Sequence, residues 1–207
     1  MKKNRLKEII MANGIVIEDE PFTLSSGKTS QYYYDVKQAI LTADILDLVG
    51  DLGLEIVNEY KARSVGGLES GSIPFATAIM MKSRLTTNPI QSFFVRKESK
   101  THGRKKWIEG NVDSPAVIVD DVITTGGSAL NAIKKVEEAD CKVVAVVGIV
   151  DREEDATKLL SKNGIKLRSI FTHSDDFKPF IDKQIALKSK KITNGKISIS
   201  QPNTGVM

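Results

Sequence analysis

A chain of 207 residues, 41% hydrophobic and 27% charged, is long enough for one domain with a sizeable core and has the balance of an ordinary soluble protein rather than a membrane protein. Its formal charge of +4 is too small to argue for nucleic-acid binding, and its single cysteine, Cys141, excludes an intramolecular disulfide and fits a reducing, cytoplasmic compartment. Met1 to Arg5 resembles the basic start of a secretion signal, but the apolar stretch behind it runs only from Ile9 to Ala12, so neither a signal peptide nor a membrane span is expected.

In chain order, Asn4 to Met11 places Leu6, Ile9 and Ile10 at helical spacing, and Asn13-Gly14 supplies a stop. Ile15 to Asp35 holds two short apolar or aromatic segments around Ser25-Ser26-Gly27-Lys28, which predicts a strand pair or flap set apart from the main sheet. A long helix follows from Ala43 to Tyr60. Strands at Ser64 to Gly67, Ile90 to Val95, Ala116 to Val119 and Lys142 to Val150 then alternate with helices near Pro74 to Ser83, Ser128 to Ala139 and Glu153 to Lys162, and a strand at Lys166 to Phe171 closes the series. This alternation predicts an α/β fold with a mostly parallel central sheet flanked by helices. Residues 1–181 read as one domain, with about residues 1–40 as a small N-terminal hood. Residues 182–207 carry Lys183, Lys188, Lys190, Lys191 and Lys196 without interleaved aromatics and read as a solvated extension of unassigned role.

The stretch from Ala116 to Ser128 is the most informative. Val117, Ile118 and Val119 are β-branched and uninterrupted, as expected of a strand buried on both faces, so Asp120 and Asp121 fall at its carboxyl end, where open α/β sheets bind ligands. Thr124, Thr125, Gly126, Gly127 and Ser128 then offer unobstructed backbone N–H groups, and Leu130, Ile133 and Val136 mark a helix starting at about Ser128. Phosphate belongs on such a helix start. Adjacent carboxylates repel unless a cation or hydroxyl donors share the site, so a sugar phosphate is the expected ligand. Gly27-Lys28-Thr29 is not a Walker A loop, because Phe22 stands where its first glycine belongs.

The acid pair and its turn resemble the phosphoribosyl pyrophosphate signature of the type I phosphoribosyltransferases. That resemblance implies that Asp120 and Asp121 face the ribose hydroxyls near magnesium carried by the diphosphate, without a dedicated metal ligand assigned. It also implies that residues 124–128 hold the 5-phosphate. The basic segment Arg96 to Gly110 is similar, in order, to the mobile catalytic loop of the orotate phosphoribosyltransferases, with Arg96-Lys97-Glu98, Lys100, His102-Gly103 and Glu109-Gly110. By that resemblance Arg96 and Lys97 bind substrate and Lys100 and His102 are catalytic, acting across a homodimer on the neighbouring site.

Three further matches follow the same family. Phe22 to Asp35 is similar to its N-terminal flap, which implies that Tyr33 and Tyr34 lie near the pyrimidine and that Lys28 touches substrate. Glu69, Ser70, Gly71 and Ser72 resemble the pyrophosphate loop, a site of backbone strain in the family. Arg152, after the strand ending at Asp151, is implied to meet the orotate carboxylate, where a guanidinium forms a bidentate pair. Some members carry lysine where this chain has Ser25 and Gly71, and Lys28, Lys97 or Lys100 is left to compensate.

The implied reaction joins orotate to phosphoribosyl pyrophosphate, yielding orotidine 5-phosphate and pyrophosphate in pyrimidine synthesis. Each loop side chain on the developing anion contributes ~2–4 kcal/mol. Association with orotidine 5-phosphate decarboxylase is a further implication, and neither a membrane nor nucleic acid is expected as a partner. A salvage enzyme for a purine or uracil, and a non-catalytic sensor of phosphoribosyl pyrophosphate, are the competing readings.

Overall fold

The runs that lack polar residues on either face form the middle of the sheet. The computed structural model describes residues 1–23, 27, 29–98 and 107–197, with 191–197 described by their backbone alone. Among them, β3 (Ser64–Leu68), β4 (Gln91–Val95), β5 (Ile108–Gly110), β6 (Ala116–Ile123), β7 (Val143–Asp151) and β8 (Lys166–Thr172) pair in the order β5-β4-β3-β6-β7-β8. All neighbours are parallel except β5, which runs antiparallel to β4. β5 lies inside the stretch expected as one long connection; three residues with a single aliphatic carry no strand period to read.

Alternation along β6 explains why helices cover both faces. Val117 and Val119 point into a core with Phe75, Ile79, Phe171 and Phe177, against α3 (Ala43–Asn58) and α4 (Ser72–Ser83). Ala116 and Ile118 point into a second core with Ile133, Val136 and Leu160, from α5 (Gly127–Glu137) and α6 (Ala156–Lys162). Burying each large side chain contributes roughly 1.5–3 kcal/mol relative to exposure. Cys141 is buried in the second core and unpaired.

The hood is a separate antiparallel pair, β1 (Ile15–Thr23) and β2 (Thr29–Tyr34), after α1 (Lys2–Asn13) and before the short α2 (Val36–Ile40). Its register breaks between Ile17 and Phe22. The chain after β8 differs from the expected solvated tail. A π-helical turn (His173–Phe177) leads into α7 (Lys178–Ile197), which crosses the expected boundary at residue 181. Ile181 is buried, Ile185 packs on the first core, and Lys188 Nζ donates to Ile17 O at 2.6 Å and lies 3.0 Å from Asp19 Oδ1. Residues 182–197 are therefore helical, and the packing of Ile185 outweighs the basic composition that suggested a free extension. No helix among the described residues is long and apolar enough to cross a membrane.

The strand order places the opening. From β3 the chain moves outward to β4 on one side, whereas from β6 it moves outward through β7 and β8 on the other. The switch point therefore lies between β3 and β6, where such sheets hold ligands. The β3–β6 ladder ends at Gly66 and Ile118, while β3 continues beside β4 to Leu68 and β6 beside β7 to Ile123.

Candidate active site

Asp120 and Asp121 stand beyond that parting, where β6 is paired on its β7 side alone. The strand does not stop at Val119, as its apolar run suggests; it carries both acids within its length and ends at Ile123. Asp121 N donates to Asp120 Oδ1 at 3.0 Å, and Lys37 Nζ, from α2, donates to Asp121 Oδ2 at 3.3 Å. Burial, then the adjacent Asp121 charge, pushes the Asp120 carboxyl well above the usual carboxylate range. The pair faces the turn before α4: a Cβ on Gly71 would collide with Asp121 Oδ1 and approach Asp120 Oδ1 to 3.1 Å. Position 71 thus admits no side chain while Asp121 keeps this place. The Glu69-Ser70 peptide in the same turn is cis, and Ser72 Oγ donates back to Leu68 O at 2.8 Å.

The turn after β6 forms a cradle. Gly126 has φ +81°, a left-handed conformation that side chains disfavour, and α5 begins at Gly127, one residue before the expected start. Thr124, Thr125, Gly126, Gly127 and Ser128 line a cavity of about 40 Å³ at the helix start, the size of a small anion's seat. A second cavity, of about 210 Å³, adjoins it through Asp120 and Ser128 and reaches Glu69, Ser70, Gly71, Lys97 and Lys37. These two spaces place the expected phosphate and pyrophosphate segments side by side.

Arg152 follows β7, and its N–H donates to Ile123 O at 2.9 Å, so it abuts the residue preceding Thr124. Its side chain is 9% exposed and its guanidinium lies over the rings of Tyr32 and Tyr34, at 5.1 and 5.8 Å. Arg152 Nε is 3.3 Å from Glu154 Oε1 but lacks the alignment of a hydrogen bond. Tyr34 and His173 complete the cluster. Tyr34 Oη and His173 Nδ1 share a hydrogen bond of 2.9 Å, Tyr32 Oη is 3.4 Å from Nε2, and Tyr32 stacks on the imidazole with 3° between planes. Burial raises the Tyr34 phenol above its ordinary range, and burial with the Arg152 charge lowers His173. Tyr33 points to the other face of β2 and packs edge-on against Phe22.

His173 is the residue that reading the sequence missed. It stands in the π-helical turn, far in sequence from every motif, and Glu153 fixes that turn by accepting from Ser174 N and from Ser174 Oγ at 2.8 Å. Only the period-two alternation of β2, which pairs Tyr32 with Tyr34, hints at a partner on that face.

Of the basic segment, Arg96 N donates to Trp107 O at 2.8 Å and Arg96 Nη1 lies 3.8 Å from Glu109 Oε1. Lys97 N donates to Glu69 Oε1 at 2.7 Å, tying the segment's start to the turn before α4. Lys100, His102, Lys28 and Ser25 lie outside the described residues. Among the described residues no group of three or more His, Cys, Asp or Glu side chains converges to hold an ion. Asp120 and Asp121 are the adjacent carboxylates at this strand end that a hydrated cation could meet.

Residues 38–176, from α2 through the π-helical turn, match the phosphoribosyl transferase domain family. The orotate phosphoribosyltransferase of Aquifex aeolicus (strain VF5) is 40% identical over 178 residues, covering 84% of this chain and 97% of that one. The crystal structure of Mycobacterium tuberculosis H37Rv orotate phosphoribosyltransferase in complex with 5-phospho-α-D-ribosyl 1-diphosphate is similar with a TM-score of 0.70 and 33% identity, over 84% of this chain and 98% of that chain. Leishmania donovani UMP synthase is similar with a TM-score of 0.73 and 26% identity, over 87% of this chain but 38% of its own. With the acid pair, the glycine cradle and the strand order already in place, this likeness over most of the chain means that the protein belongs to the phosphoribosyltransferase family and, within it, to the orotate phosphoribosyltransferases.

Proposed function

We propose that the chain transfers the phosphoribosyl group of 5-phosphoribosyl 1-pyrophosphate to orotate, giving orotidine 5-phosphate and pyrophosphate. The observation that carries the choice of base is Arg152, caged by Tyr32, Tyr34 and His173 beside the phosphate cradle. A partly shielded guanidinium there rewards a base that brings a carboxylate, as orotate does and uracil and the purines do not. The relatives' names agree with this choice over the salvage and sensor readings, and the basic loop sequence from Arg96 to Gly110, which a sensor would lack, supports an enzyme.

In the reaction the ribose C1–pyrophosphate bond breaks, a bond forms from C1 to orotate N1, and the N1 proton is lost. The cradle at residues 124–128 holds the 5-phosphate on the start of α5. Asp120 and Asp121 accept from the ribose hydroxyls, and Glu69, Ser70, Gly71, Ser72 and Lys97 border the diphosphate. Magnesium brought in with the diphosphate would be met by Asp120 and Asp121 and would supply positive charge for the leaving group. Arg152 orients the pyrimidine through its carboxylate, with Tyr34 beside it. Lys100 and His102 act from the partner's loop, with Arg96 and Lys97 at its base, in a homodimer; Lys28 adds a cation from the hood. A water-excluding closure protects the cationic sugar.

The working unit is the domain of residues 1–181 with its hood, extended by α7. A cytoplasmic location belongs to the same reading. So does association with orotidine 5-phosphate decarboxylase, because UMP lacks the carboxylate that the product retains, and a UMP synthase chain carries a similar unit within a longer protein.

The test is loss of orotate absorbance on mixing protein, magnesium and phosphoribosyl pyrophosphate, with uracil and hypoxanthine in parallel. Orotate alone is expected to be consumed, and Arg152→Met is expected to lose on the order of 10²-fold in kcat/KM for orotate, the loss of a charge-assisted pair. Consumption of hypoxanthine or uracil in preference would replace this reading with the salvage one.

A further inference from the structure

We propose that Lys37 is a cation of the pyrophosphate site, taking the place of the lysine that some members carry at the position of Gly71; the proposal rests on the transferase reading above. A side chain at position 71 would need the room that the Asp121 carboxylate now fills, so a lysine there would require Asp121 to move. That carboxylate is in turn held by Lys37 Nζ at 3.3 Å. The two facts are one arrangement: Asp121 fills the room a side chain at 71 would need, and it carries a cation from α2 in exchange.

Lys37 lines the same 210 Å³ cavity as Glu69, Ser70, Gly71 and Lys97. Its side chain is 43% exposed, against 10% for Asp121, so the ammonium faces the open cavity and keeps donors free for a second acceptor. An ammonium has three donors, and an exposed lysine held by one carboxylate at 3.3 Å is not saturated. Asp35 fixes its origin: the Asp35 carboxylate accepts from Gln38 N at 3.5 Å at the start of α2, directly behind hood strand β2. The cation therefore comes from the segment that links the hood to the sheet, and its charge lies where negative charge grows as pyrophosphate departs.

The experiment compares wild type, Lys37→Met and Lys37→Arg by steady-state kinetics, by inhibition with magnesium pyrophosphate and by thermal melting. Lys37→Met is expected to lose on the order of 10²-fold in kcat/KM for phosphoribosyl pyrophosphate and at least about 10-fold in affinity for pyrophosphate, the scale of one lost donor to a developing anion. KM for orotate is expected to stay within about 3-fold, and Lys37→Arg to recover most of the loss. Unchanged inhibition by pyrophosphate in a folded Lys37→Met would overturn the proposal whatever its turnover, because a lysine that serves only Asp121 leaves the leaving group's affinity alone. If Lys37→Met melts early, the same comparison is made with Lys37→Gln. A wild type without orotate activity would instead sink the transferase reading, and a wild type that binds pyrophosphate would still allow the Lys37 comparison.

Discussion

His173 couples the cluster of Tyr32, Tyr34 and Arg152 to pH. Its pKa is lowered by burial first, then by Arg152 and Lys178, with Glu153 and Asp182 acting the other way. As pH falls below the ordinary value of 6.5, an unfolded chain takes up the proton before the folded one does, so unfolding gains and stability falls until the folded pKa is passed. His173→Gln keeps a hydrogen-bonding group but removes this titration. Melting temperatures from pH 8 to pH 5 are expected to fall more steeply for wild type than for His173→Gln, and parallel curves would show that His173 is not buried neutral. His173→Ala is expected to raise KM for orotate by about 5-fold, the worth of one hydrogen bond positioning Tyr34, while KM for phosphoribosyl pyrophosphate holds. At this scale the sequence shows Asp120, Asp121 and Arg152 plainly, because each ends or follows an apolar run. It hides His173 and Lys37, which have no pattern of their own and gain meaning only when folding brings β2, α2 and the π-helical turn together.

Among the elements, the turn into α5 is the most demanding. Gly126 combines φ +81° with a Cβ that would stand 3.2 Å from Ala156, so an alanine strains the backbone and presses on α6. Gly126→Ala is expected to cost ~1–2 kcal/mol, lowering the melting temperature by roughly 2–8 °C, and to raise KM for phosphoribosyl pyrophosphate. A scan with and without inorganic phosphate measures both effects. The elements themselves were legible where one period dominates: β7 reads from its apolar run, and α3 from Ile45, Leu48, Val49 and Leu54. Where composition and packing disagree the reading erred. Two acids concealed the second half of β6, and lysines concealed α7, which packs on the core through Ile185 and meets the hood through Lys188. The adjacent tyrosines 33 and 34 were expected together on resemblance, whereas strand alternation sets Tyr34 with Tyr32 and turns Tyr33 towards Phe22.

For the whole molecule, the proposal that the loop acts on the neighbouring site would make activity a property of a dimer. Mixing Lys100→Ala with Asp121→Asn after unfolding and refolding tests this: a mixed dimer has one site with intact acids served by an intact loop. Random pairing makes half the dimers mixed, so roughly a quarter of wild-type activity is expected to return from two inactive parents. No recovery would mean that each loop serves its own subunit. The position of the site has a different origin from its chemistry. The crevice opens where the β3–β6 ladder ends at Gly66 and Ile118, so its position is set by main-chain pairing, whatever side chains line it. Substitutions at Lys37 or Arg152 can therefore redistribute charge and change which base is welcome while the place of binding stays fixed. Descendants of such a fold inherit the address with the strand order and rewrite only the occupant.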